Sequence, residues 1–319
     1  MSPFTERRAD SVLALGERAL IARVQRWLGD TSPRSPFGIG DDCAVLPASR
    51  RAALVTTDPV LYGHHFDDAV PARAVGAKLL KRNLSDIAAM GGRPVAAVLS
   101  LSMAGATRTT WLRDFYLGLA ATARRHRVKI VGGDITQAPA GFFGAFLTLH
   151  GETAGPRFVT RHGARIGDRI YVSGVLGGSR RGHHHRFEPR LAEGAWLATR
   201  PEVRAMMDLS DGVAKDLAAL TPAGAAPALK AAAIPISADA RACAAASGRS
   251  PLDHALGDGE DYELLFVVAD RADHEAFTRA WRRRFSRTRL SYLGRFVKRG
   301  QSPAGTLNLA SYHGYEHLR

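Results

Sequence analysis

The run from Lys78 to Gly92, KLLKRNLSDIAAMGG, limits the possible folds more than any other stretch of this chain. It has the length and spacing of a helix closed by a glycine pair. Leu79, Asn83, Asp86 and Met90 recur at intervals of four, three and four residues and so share one face. Two of these inward positions are polar, and Asp86 carries charge. A lone carboxylate taken out of water costs several kcal/mol unless a cation answers it. Arg82, one turn earlier, offers an ordinary helix-face ion pair. The alternative is a larger group: Asp41, Asp42, Asp58, Asp134, Asp208 and Asp211 all occur with glycine, serine, threonine or another aspartate at the edge of an apolar run. Acids repeated in that setting point to Mg2+ as the answering charge.

At 319 residues the chain can bury a sizeable core, and its length favours two domains. There is no apolar run of about 18 residues, so no membrane span is expected. The opening MSPFTERRAD lacks the apolar centre of a secretion signal, which predicts a cytoplasmic protein. Cys43 and Cys243 are too few for a disulfide framework and too far apart in sequence for a zinc motif. The net charge of +14 comes almost wholly from arginine. Apart from a local cluster from Trp281 to Arg284, with Arg287 and Arg289 beyond, the basic residues are dispersed. That pattern suits phosphorylated small molecules or a solvated surface, and nucleic acid is not expected as the main partner.

Taken in order, residues 1–10 read as a frayed arm and 16–28 as a short amphipathic helix. GIGDDCAVL at 38–46 pairs two acids after glycines, as either a ligand loop or a turn. A strand over 52–57 places Asp58 at its end, and the loop beyond carries His64 and His65. Further strands are predicted at 95–103, at 128–134 (VKIVGGD, opening onto two glycines and an acid) and at 142–151, with a helix over 111–126. Composition loosens near 152–157, dividing the chain into domains 1–154 and 155–319. In the second, RRGHHHRFEPR at 180–190 reads as a mobile charged loop, its contiguous histidines unable to chelate one ion together. A strand runs into Asp208, and Ser210 or Asp211 could cap the helix after it. Strands at 262–268 and 289–297 and a helix near 272–283 complete the reading. Lys78, on a different face from Asp86, reads as solvated.

Eight stretches then appear in a fixed order: GIGDDCAVL, TTDPVLYGHHF, NLSDIAAMGG, VGGDITQAP, VTRHGARIGDRIYVSG, MMDLSDGVAKDL, GDGEDYELLF and GYEH. Together they resemble the thiamine-monophosphate kinase family, of the superfamily that includes aminoimidazole ribonucleotide synthetase and selenophosphate synthetase. The resemblance implies an α/β (α+β) fold like that of aminoimidazole ribonucleotide synthetase: two domains with mixed sheets covered by helices. It implies an N-terminal domain that binds metal and nucleotide and pairs into a homodimer, and a C-terminal domain that closes the nucleotide cleft. The implied reaction moves the ATP γ-phosphoryl group onto thiamine monophosphate, with several Mg2+ ions and no membrane partner.

By the same resemblance, Asp41, Asp58, Asp86, Asp134 and Asp208 hold magnesium, with Asp211, Thr56 and Thr57 contributing, and Asp86 and Asp211 are the catalytic pair. Gly133, Asp134, Arg161 and Ser210 meet the nucleotide, while His65, Glu260 and Tyr315 meet the acceptor. Two departures stand out. Arg200-Pro201 is followed by only EVRA before Met206, where the family has a longer helical stretch. That loss would leave the second sheet either partly uncovered or overlain by the 180–190 segment. The sequence also reads Gly-Asp-Gly-Glu-Asp at 257–261 where Gly-Gly-Glu-Asp is usual, adding an acid near the substrate side. The alternatives are a related ATP-dependent enzyme with another phosphorylated or carboxylated acceptor, and a non-catalytic nucleotide-binding homologue. Selenophosphate synthesis is not expected, because no cysteine near the N-terminus could handle selenium.

Overall fold

The computed structural model describes residues 1–40 and 43–316, so Asp41 and Asp42 lie outside the described residues. The chain forms two units, one of residues 1–87 and 93–153, the other of residues 88–92 and 154–319. Among the described residues, no helix is long and apolar enough to cross a membrane.

The first unit begins with an arm that is pinned rather than frayed: Phe4 bridges to Thr107 and Ser11 to Arg108. Helix α1 (Glu17–Leu28) follows, burying Leu20, Val24 and Leu28 on one face. Then come β1 (Ala53–Leu61), α2 (Ala72–Ala89), β2 (Gly92–Ala104), α3 (Thr109–His126), β3 (Lys129–Ala138) and β4 (Phe143–Thr153). The sheet order is β1-β4-β2-β3, with β1 antiparallel to β4 and β2 parallel to β3. Strand β1 does not stop before Asp58 but runs on through Pro59, a residue an edge strand tolerates. Likewise β3 continues through Gly132, Gly133 and Asp134 instead of turning there.

Register decides which side chains meet. Thr56, Asp58 and Val60 stand opposite Leu149, Leu147 and Ala145, which are fully buried, so these residues point to the covered side of the sheet. Val55 and Thr57 point the other way, and Val55 is 68% exposed.

Helix α2 departs from the single-stripe expectation. Val75, Lys78, Leu79, Leu80, Asn83 and Leu84 are all fully buried, and Ser85 and Ile87 nearly so, which makes it a core helix rather than an amphipathic one. It can sit so deep because two glycines let it touch α3 backbone to backbone. A Cβ on Gly76 would lie 1.9 Å from the Phe115 carbonyl oxygen, and one on Gly118 would lie 1.9 Å from that of Arg73.

The second unit contains β5 (Arg169–Ser173), α4 (His183–Arg186), α5 (Leu191–Ala198), β6 (Val203–Asp208), α6 (Val213–Leu220), β7 (Ala225–Leu229), α7 (Ala238–Ser247), α8 (Pro251–Gly257), β8 (Leu264–Val268), α9 (His274–Arg284) and β9 (Leu290–Lys298). Its antiparallel sheet has the order β6-β8-β5-β9-β7. Both faces are covered. Tyr171, Met206, Leu264 and Phe266 pack with Trp196 and Leu197 of α5 and Phe277 and Trp281 of α9. Val172, Met207, Leu265 and Val267 pack on the other side with Val213 and Leu217 of α6 and Leu256 of α8. The shortened segment before Met206 therefore leaves no bare face on the β6–β8–β5 strands, because α5 and α9 fill it.

The 180–190 segment is also not a mobile loop. It includes α4, with His184 8% and Phe187 2% exposed, and Phe187 stacks on Tyr262 at 4.0 Å between ring centroids.

If the glycine crossing sets the depth of α2, Gly118→Ala lowers unfolding free energy in urea by about 1–3 kcal/mol or more through overpacking. Gly155→Ala, where an added Cβ meets nothing within 4 Å, stays within about 0.5 kcal/mol of the parent.

Candidate active site

In the first unit the structure gathers Thr56, Asp58 and Asp86. The Thr56 hydroxyl donates to Asp86 Oδ2 at 2.5 Å. Arg82, 7% exposed, places Nη2 3.2 Å from Asp58 Oδ1 and donates through Nη1 to the Pro59 carbonyl. A strand and a helix thus present two carboxylates and a hydroxyl together, with a buried guanidinium as local counter-charge. Thr57 is not part of this group through its hydroxyl, which donates to the Leu147 carbonyl at 3.1 Å on the opposite face.

Asp134 stands elsewhere. It is exposed on β3, bonded by the Thr136 hydroxyl at 3.0 Å, while Asp58 lies on β1 at the other edge of the sheet. Three strand spacings separate the two edges by about 14 Å, more than two carboxylates can span around one Mg2+ with bonds of about 2.1 Å. Gly133 has a local structural cause as well, since a Cβ there would lie 2.0 Å from the Leu99 carbonyl oxygen of β2.

His65 closes the loop after β1. Its Nδ1 accepts from the Leu61 N–H at 3.1 Å, so a neutral ring carries its proton on Nε2. The His65 carbonyl accepts from Lys78 Nζ at 2.8 Å. Lys78 is fully buried, which overturns the expectation of a solvated side chain.

The second unit gathers Asp208, Ser210, Asp211, Glu260 and Tyr315 by backbone bonds. Leu209 donates to the Glu263 carbonyl (2.9 Å), Tyr262 to Leu209 (2.8 Å), Glu260 to Ser210 (2.7 Å) and Tyr315 to Asp211 (3.0 Å). Lys215 Nζ then joins Asp211 Oδ2 (2.8 Å) to the Tyr315 carbonyl (2.7 Å). Arg161 lies in the same unit, exposed beside Thr160, whose carbonyl accepts from Met206 (2.9 Å). The N-cap of α6 is Gly212, neither Ser210 nor Asp211.

The loop of 209–211 is held instead from below. Asp216 Oδ2 accepts from the Ser210 and Asp211 N–H groups at 3.1 and 3.0 Å. Burial pushes the Asp216 carboxyl up to about 7; the Asp211 N–H works against this, and the charges of Asp211 and Asp208 add to it. Glu260 and Tyr262 both have positive φ, 54° and 51°, a strained backbone that aims Glu260 back toward His184, 3.7 Å away.

Two buried acids brace this loop. Glu263, 2% exposed, accepts from Arg190 through both oxygens (2.8 and 2.5 Å) and from the Ser173 hydroxyl (2.5 Å). Burial opposes the Arg190 charge, but the hydrogen bonds and charge of Glu263 outweigh it and hold the guanidinium above its ordinary pKa. Asp261 accepts from Gly177 N–H at 2.7 Å, and burial pushes its carboxyl well above the usual range.

Comparison with known proteins identifies the family of the chain. Residues 40–152 match the family model described as AIR synthase related protein, N-terminal domain. The thiamine-monophosphate kinase of Rhodopirellula baltica is 38% identical over 249 residues, covering 74% of this chain and 77% of that protein. The chain belongs to the thiamine-monophosphate kinase family. Two solved structures share its fold. The thiamine-monophosphate kinase from Stenotrophomonas maltophilia K279a has a TM-score of 0.73, is 31% identical and covers 89% of this chain and 95% of its own. AaThiL complexed with AMPPCP and TMP has a TM-score of 0.71 at 28% identity and covers 99% of this chain and 100% of its own.

Within this thiamine-monophosphate kinase family member, Lys78, His184, Arg190 and Asp216 surround the sequence-predicted residues without having been read from the sequence. Asp216 left a signal: Val213, Asp216, Leu217 and Leu220 form one helical stripe, all buried, with an acid among apolar residues as at Asp86. Arg190 and Glu263 gave none, being 73 residues apart.

Removing the Arg190 guanidinium leaves Glu263 charged and unanswered. Arg190→Ala is expected to cost about 3–5 kcal/mol in urea denaturation. Adding Glu263→Gln should restore part of that loss, and an equal loss in the double variant would mean that the ion pair is not its cause.

Proposed function

We propose that this protein transfers the γ-phosphoryl group of ATP to the phosphate of thiamine monophosphate, giving thiamine diphosphate and ADP. Support comes chiefly from family membership over most of the chain, together with the acids that the two units each gather. The acceptor needs no general base, because a phosphate monoester with a second pKa of about 6 is already largely ionised at neutral pH. A phosphate oxygen attacks the γ-phosphorus, and the bond to the β-phosphate oxygen breaks, leaving ADP. What the protein must supply is alignment of two polyanions.

The donors fit magnesium: all are carboxylate or hydroxyl oxygens. Asp58, Asp86 and Thr56 would hold it in one place, Asp134 in another, and Asp208 and Asp211 are the candidates in the second unit. The separation of Asp58 from Asp134 favours more than one ion. Bound Mg2+ supplies neutralisation of polyphosphate charge. Arg161 and Ser210 are assigned to the nucleotide phosphates. Tyr315 is assigned to stacking on the flat cationic acceptor, and Glu260 and His65 are assigned to the acceptor as well. Lys78, set behind His65, holds that loop in place. The proposal includes a homodimer formed through the open face of the first sheet, where Val55, Val98 and Phe146 are exposed. It also places the protein in the cytoplasm, without nucleic acid or membrane as partner.

A coupled assay of ADP release, with ATP, Mg2+ and a panel of acceptors, tests the assignment. Turnover is expected with thiamine monophosphate and not with free thiamine. Turnover on another phosphate alone would replace this acceptor, and no nucleotide binding at all would leave a non-catalytic homologue. Asp86→Asn and Asp208→Asn should each lower kcat by about 100-fold, or about 2.7 kcal/mol of barrier.

A further inference from the structure

The second unit holds a side-chain cluster that phosphoryl transfer does not use. Cys243 of α7, and His254 and Asp258 at the two ends of the last turn of α8, each place a ligating atom within 4.8 Å of the others. His254 is 6% exposed, with Nδ1 2.9 Å from Asp258 Oδ2 and Nε2 2.8 Å from the Ser247 hydroxyl. All three ligating residues line a cavity of about 670 Å3 that is also bounded by Arg249, Gly314 and Tyr315, the last a residue assigned above to the acceptor.

We infer that Cys243, His254 and Asp258 form a binding site for a transition-metal dication of the Zn2+ class. A thiolate, an imidazole and a carboxylate are the ligands such an ion takes, whereas Mg2+ does not select sulfur. The imidazole is prepared for the exchange. With a proton on Nδ1, His254 donates to Asp258. When the ion takes the Nδ1 lone pair, Nε2–H donates to the Ser247 hydroxyl, which can act as donor or acceptor without any heavy atom moving. The His254 proton thus moves from Nδ1 to Nε2 by way of solvent, the ion takes its place beside Asp258, and the Cys243 thiol releases its own proton to solvent. One thiolate and one carboxylate neutralise the dication, and the fourth position opens on the cavity, where water completes the set.

Asp258 is the weakest ligand of the three. Its Oδ1 is 3.4 Å from Arg249 Nη1, and its Oδ2 accepts from Gly178 N–H at 3.0 Å. Both compete for the carboxylate, so Cys243 and His254 carry most of the affinity.

Co2+ titrated into the chelator-treated full-length protein tests the site. The expected result is one equivalent bound, with a thiolate-to-cobalt charge-transfer band that Zn2+ abolishes and excess Mg2+ does not. Cys243→Ser should lose the band with an unchanged circular dichroism spectrum, while Cys43→Ser keeps it. Ser247→Ala should keep the band at about 10- to 100-fold lower affinity. No band in the parent protein, a band that survives Cys243→Ser, or one lost in Cys43→Ser overturns the assignment.

Discussion

The first unit depends on how a core helix answers its own charges. Helix α2 brings Lys78 and Arg82 into the interior, where an unpaired ammonium or guanidinium would cost several kcal/mol. Each is met by groups from the strand and loop beside it: Lys78 by the His65 carbonyl, Arg82 by Asp58 and the Pro59 carbonyl. These bonds tie the helix to β1 at the height where Asp58, Thr56 and Asp86 come together. The close crossing at Gly76 and Gly118 sets how deep the helix lies, so packing and electrostatics fix the same geometry.

The second unit solves a similar problem with different means. Its buried acids are steadied by N–H groups and by ion pairs. Asp216 takes two backbone N–H groups of the 209–211 loop, Asp261 takes one from Gly177, and Glu263 takes Arg190. The carboxyls of Asp216 and Asp261 titrate upward chiefly because they are buried, with neighbouring acids adding to the effect. Asp211, nearer the surface, pairs with Lys215. Anions that brace a loop are thereby kept apart chemically from acids offered to a ligand.

Much of this was legible in the sequence, for physical reasons. Strands with branched residues, the helix at 111–126 with Arg124, Arg125 and His126 at its C-terminal end, and the acids at strand edges all follow from local pattern. The limits of β1 and β3 did not, because Pro59 and Gly132-Gly133 are punctuation in a sequence yet ordinary at sheet edges and close strand contacts. Lys78 is hard to read from sequence because α2 is buried over most of its circumference, with a narrow, partly exposed stripe at Arg73, Ala77 and Lys81. The alanine-rich stretch that forms β7 and α7 carries too little periodicity to read. The sequence groups Asp134 with Asp58 and Asp86 by idiom alone, whereas strand order sets it at the far edge.

The extra acid at Asp258 bears on substrate choice. In the sequence it adds negative charge beside the acceptor-side residues, which would favour a different acceptor. In the structure its carboxylate is taken up by His254, Gly178 N–H and Arg249, at the end of α8. The backbone bond from Glu260 to Ser210 and the turn through Gly259 leave Glu260 in its own place, facing His184. Asp258 therefore ends α8 on a cavity that Tyr315 also lines, with its charge partly offset by three partners rather than left bare.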